Sequence, residues 1–140
     1  MRILIGVLAL GFLAGCSTSP VTETTGKLVE ENRIYERSYV APMSVPQDKA
    51  TVTFLRDSGY MGSGCSHDIY VNNIKVFAIR QGEQIKLALE PGPYLFRLET
   101  GGGLCPNIAE SQSTELKSGA SEVYRILIPS DGNLRLTRIR

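Results

Sequence analysis

From residue 50 onward the chain alternates apolar and polar positions in short runs. The clearest is QIKLALE (84–90), where Ile85, Leu87 and Leu89 recur at every second position. That period of two marks a strand with one face buried. TVTFLR (51–56) alternates around Val52 and Phe54, and DIYV (68–71) places Ile69 and Val71 together. IKVFAI (74–79) follows after Asn72-Asn73, a pair that tolerates positive φ and so predicts a tight hairpin. Pro91-Gly92 turns the chain into YLFRLE (94–99), which sets Tyr94, Phe96 and Leu98 against Arg97 and Glu99. EVYRILI (122–128) and NLRLTRI (133–139), separated by an Asp131-Gly132 turn, continue the pattern, with a weaker strand in IAESQSTELK (108–117). No run after residue 50 carries a ten-residue helical period. Seven or eight short strands with Gly, Pro, Asn and Asp turns predict an all-β domain, an antiparallel β-sandwich or small barrel. Each strand is expected to bury one face.

Before residue 50 the pattern differs. Residues 17–26, STSPVTETTG, are polar and turn-rich. KLVEENRIYERSYV (27–40) is mixed and is open to either a short helix or an added edge strand. Pro42 and Pro46 then discourage regular structure. Residues 16–49 therefore read as a flexible tether of ~30 Å typical reach, leading to a domain over residues 50–140.

The first residues carry an address. Arg2 precedes a run of about eleven nearly all-apolar residues, 3–13. A helix that crosses a bilayer core needs roughly 20 residues, so residues 1–15 read as a secretory signal. The stretch Leu13-Ala14-Gly15-Cys16 resembles the lipobox of bacterial lipoproteins. That resemblance implies lipidation of Cys16, with several acyl chains giving stable anchorage. It further implies an outer-membrane, periplasm-facing protein, since Ser17 stands where an Asp would signal inner-membrane retention.

Charge adds little. Loss of residues 1–15 removes only Arg2, so Lys+Arg falls from 15 to 14 against 14 Asp+Glu. A neutral chain gives no reason to expect a nucleic-acid partner. Arg135, Arg138 and Arg140 read as a solvated strand face.

The candidate chemistry gathers in GYMGSGCSHD (59–68), which holds three glycines, a cysteine and the chain's single histidine. Cys65 and Cys105 both sit in glycine-rich loops, GSGC and GGGLC. In an oxidising compartment the two thiols are expected to form a disulfide, with the glycines easing the approach of the loops. The competing readings are a metal site built on Cys65, His67 and Cys105, and a Cys-His nucleophile pair. A structural zinc site wants four ligands, and a nucleophilic cysteine must be free. The expectation is accordingly no metal, no cofactor and no catalytic residue. Phosphate-loop and nucleophile-elbow spacings do not occur. Tyr60, Met61 and His67 remain as candidate contacts for a partner.

The span from Thr51 to Glu99 resembles a domain of unknown function found in small bacterial envelope lipoproteins. The resemblance rests on Phe54-Leu55-Arg56, Ile69-Tyr70-Val71-Asn72-Asn73 and Leu89-Glu90-Pro91-Gly92-Pro93-Tyr94. The Pro-Gly-x-Tyr step is also similar to that of PEGA-like β-domains, although the tetrapeptide that names them is absent and Asn73 replaces the usual turn glycine. The resemblance implies a β-fold and supplies no catalytic residues. The chain is expected to be a non-catalytic binding or structural accessory module that meets an envelope protein or the cell wall. The alternative is an inhibitor of an envelope-targeting enzyme such as a lysozyme, with Tyr60 and Met61 as the plug.

Overall fold

The computed structural model describes residues 18–59, 62–100, 105–128 and 134–140. The lipobox with Cys16, the contact candidates Tyr60 and Met61, and the Asp131-Gly132 turn lie outside them.

Among the described residues, nine strands form two sheets packed face to face as a sandwich. They are β1 (Lys27–Leu28), β2 (Ala50–Arg56), β3 (His67–Val71), β4 (Ile74–Ile79), β5 (Glu83–Leu89), β6 (Gly92–Thr100), β7 (Ala109–Leu116), β8 (Ser121–Leu127) and β9 (Arg135–Arg138). One sheet has the order β1-β5-β2-β8-β9 and the other β4-β3-β6-β7. All eight strands expected after residue 50 are present. The pairing is not wholly antiparallel, because β2 runs parallel to β8 and β1 parallel to β5. The β3–β4 hairpin turns on Asn72 and Asn73 with φ of 47° and 68°, the left-handed pair that such a turn requires.

Alternation does what it predicts at the centre. Phe54 of β2 meets Phe77 and Phe96 of the opposite sheet edge-on, at centroid distances of 5.5 and 5.4 Å. It also stacks at 5.5 Å on Tyr124, its direct partner in β8. Val52, Ile69, Val71, Leu87, Leu98 and Ile126 are fully buried around them.

The expected tether is corrected. Residues 18–49 pack along the sandwich and form part of it. β1 extends the five-stranded sheet beyond β5. The chain then crosses to the other sheet through a 3-10 turn, Glu31–Arg33, and Ile34 bridges Phe77 of β4. A second 3-10 turn, Arg37–Tyr39, brings it back, and Val40 bridges Leu87 of β5. This strap closes the open seam between β5 and β4 and occupies edge groups that would otherwise invite pairing with other chains. Of the two forms left open for residues 27–40, the edge strand is present at its start and 3-10 turns follow.

The same segment overturns the expectation that each strand buries one face. Val21 packs on Leu55 and Val123, which point away from the main core, to form a second small cluster. The outer face of β2 is thereby covered, and six of its seven residues are buried.

Candidate functional site

Both strands that lead into the first glycine loop end on charged or titratable side chains turned inward. Arg56 closes β2 and is 3% exposed. Its guanidinium donates to the carbonyls of Cys65 at 2.5 Å, Ile79 at 2.9 Å and Gly62 at 2.8 Å. The planar fork suits this task, since it satisfies three carbonyls in fixed directions. Burial lowers the Arg56 pKa to about 10, so it remains a cation at neutral pH and pins the loop from beneath.

Cys65 and Cys105 are bonded, with Cα atoms 5.9 Å apart. The loop is thus held from two sides, by the staple and by Arg56. Gly62 shows why a glycine stands there: its φ is +68°, and a Cβ would meet Ile128 Cδ1 at 2.5 Å. Gly64 has open space around it, so the expected need for close approach applies to Gly62 and not to its neighbour.

His67 departs from its expected role as a partner contact. It opens β3 in phase with Ile69 and Val71, and it is fully buried. A surface cannot touch it. Burial, and the nearby Arg56 cation, push its pKa down to about 3. Neither ring nitrogen has a hydrogen-bond partner. The imidazole therefore stays neutral and sits in the core as a flat polar ring. The metal reading loses its donors: both sulfurs are consumed by each other, and among the described residues no three His, Cys, Asp or Glu side chains gather to hold an ion.

The residues that sequence reasoning did not single out lie on the outer face of the four-stranded sheet. Register aligns Lys75, Tyr70, Arg97 and Ser111 in one row across β4, β3, β6 and β7. The Arg97 guanidinium lies 4.5 Å above the Tyr70 ring, and Lys75 lies 4.5 Å from the ring of Tyr35, brought there by the strap. Asp68 and Glu99 form the next row and pair with Lys75 at 2.8 Å and Arg97 at 3.2 Å. The result is a flat, charge-balanced surface with two aromatic rings. No segment of the described chain crosses it, whereas the centre of the other sheet's outer face, at Leu55 and Val123, is covered by Val21. The period-two pattern had put Tyr70 and Arg97 on the outward face. What it lacked was the pairing register that makes them neighbours.

No family model matches the chain, and no curated protein matches it at a significant level.

Proposed function

We propose that the protein is a lipid-anchored envelope lipoprotein that works as a non-catalytic binding module, and that the bare face of the four-stranded sheet is its contact surface. The observation that carries this reading is the asymmetry between the two sheets. A segment before β2 covers the centre of one outer face through Val21, and among the described residues no segment crosses the other, lined by Tyr70, Arg97, Lys75 and Tyr35. Aromatic rings stacked with arginine are the side chains over-represented where proteins meet partners. The balanced charges suit a polar, near-neutral surface such as an envelope protein.

The non-catalytic reading is supported by the state of the candidate groups. The cysteines are joined, and His67 cannot take up a proton near neutral pH. The test is a photo-crosslinking residue placed at Tyr70 in cells, with Thr24 on the covered side as the control. Discrete adducts from position 70 alone support the module reading. Adducts from both positions, or from neither, remove the sheet face as the contact surface. The inhibitor reading is separated by titrating a lysozyme with the purified domain, where stoichiometric loss of muramidase activity would favour it.

A further inference from the structure

We infer that the disulfide-stapled end of the sandwich rests on the membrane surface and the opposite end points away from it, an orientation that builds on the lipid-anchor reading of Cys16. The geometry starts at Ser19. Its amide donates to the Ser58 carbonyl at 2.7 Å, and the Ser58 amide donates back at 3.0 Å. Two residues on, the Val21 amide donates to Asp57 Oδ1 at 2.9 Å. From Ser19 onward the chain is fixed to the β2–β3 connection. Three residues of extended chain span at most ~11 Å, so the Cα of Cys16 cannot lie farther than that from Ser19. Acyl chains on Cys16 leave no slack for the ~30 Å reach of a free tether.

The β2–β3 connection lies at one end of the sandwich. β2, β4, β6 and β8 end there and β3, β5, β7 and β9 begin there, so the Arg80–Glu83 corner, Gly62 to Cys65, and Cys105 all share it. Both ends carry exposed charges of both signs. At the stapled end Arg80 and Lys27 are exposed, while Asp57 is paired with Arg125 and Glu83 with Arg33. Glu110 and Glu30, the latter 3.6 Å from Arg33, are exposed carboxylates among the described residues there. At the far end Asp48, Glu90 and Glu115 are exposed together with Lys117 and Arg140, and Glu90 pairs with Lys49. The orientation therefore rests on the short link from Cys16 to Ser19 and the β2–β3 connection, and not on charge. Loops at the stapled end then face lipid and not a soluble enzyme, which sets this orientation against the inhibitor reading.

The chain has no tryptophan, so single Trp variants report position. Asn107 and Lys117 flank β7, are exposed, and stand at opposite ends of a strand ~26 Å long. The full lipidated protein would carry Asn107→Trp or Lys117→Trp and be reconstituted in vesicles of phosphatidylethanolamine and phosphatidylglycerol, with and without a nitroxide-headgroup lipid. The expected result is several-fold stronger quenching at position 107 than at 117. A flexible Gly-Ser insertion of ~20 residues before Thr18, adding ~25 Å of reach, should erase the difference. Equal quenching at both positions in vesicle-bound protein without the insertion overturns the orientation and leaves the anchor reading intact. Protein whose mass shows no acyl groups on Cys16, and which does not float with the vesicles, overturns the anchor reading and the orientation with it.

Discussion

Arg33 and Glu83 lie fifty residues apart in sequence and meet as a bidentate pair in the seam between the sheets. Arg33 Nη1 donates to Glu83 Oε2 at 2.7 Å and Nη2 to Oε1 at 2.5 Å, and Nη1 also reaches the Ala78 carbonyl at 3.0 Å. Glu83 receives a further bond from the Arg80 amide at 2.8 Å. The pair welds the strap to the β4–β5 corner. Replacing Arg33 alone leaves a carboxylate whose side chain is 11% exposed without its counter-charge. Arg33→Met should destabilise the fold by about 3–5 kcal/mol, read by urea unfolding. The double variant Arg33→Met, Glu83→Gln should recover a large part of that loss. A double variant no better than the single one would mean that the pair is not coupled.

If residues 18–49 belong to the fold, their amides should exchange with it. The Tyr35 amide donates to Val76 O at 2.8 Å, and the Ala41 amide to Lys86 O at 2.9 Å. Both should show hydrogen-exchange protection close to that of the central strands, because opening them breaks the seam. Exchange at free-peptide rates would restore the tether. The same experiment separates a cooperative strap from one that frays independently of β2 and β5.

The contrast between strap and strands shows what a local pattern can carry. The strands of residues 50–140 announce themselves because neighbours two apart share a face, and Phe54, Leu87 and Phe96 obey that rule. The strap has its apolar residues spread singly: Val21 sits on Leu55 and Val123, Ile34 bridges Phe77, and Val40 bridges Leu87. Each lands on a different element, so no period results, and the ion pair that fixes them joins Arg33 to a residue fifty positions away. Two signals were nonetheless present. Leu55 and Val123 are apolar at outward positions, which asks for a cover. His67 stands in phase with Ile69 and Val71, which points it inward. The Cys65–Cys105 pairing was legible from compartment chemistry, while Arg56 beneath the loop was not, because three carbonyl acceptors leave no trace in side-chain composition.

The staple closes a loop with a sequence separation of 40, for which chain entropy gives about 4 kcal/mol. The variant Cys65→Ala, Cys105→Ala should lower the unfolding free energy by about that amount and keep the β-sheet circular dichroism. Arg56 constrains the same loop independently. Arg56→Lys should therefore be more harmful than its charge conservation suggests, because one ammonium cannot serve the diverging carbonyls of Gly62, Cys65 and Ile79. Buried acceptors left unpaired cost about 1–3 kcal/mol each. Urea midpoints of the two variants, alone and combined, would show whether staple and clamp act on one loop: a combined loss smaller than the sum is the expected result.

His67 gives the fold an acid sensitivity. Its native pKa is lowered to about 3 against an ordinary value of 6.5, by burial first and by the Arg56 cation second. Above pH 6.5 the imidazole is neutral in both states and stability is flat with respect to this group. Below pH 6.5 the unfolded chain takes up a proton that the native core refuses, so stability falls as the pH drops toward 3. The slope approaches about 1.4 kcal/mol per pH unit. Carboxylates titrate in the lower part of that window, so the informative quantity is a difference. His67→Leu keeps an apolar side chain of similar bulk among Ile69, Ile79 and Thr100 and removes the titration. Unfolding free energies measured between pH 5 and 7 should fall with acidification in the native sequence and stay nearly level in the variant. Parallel pH profiles would mean that the imidazole protonates in the folded state, and that its two unpartnered nitrogens reach water.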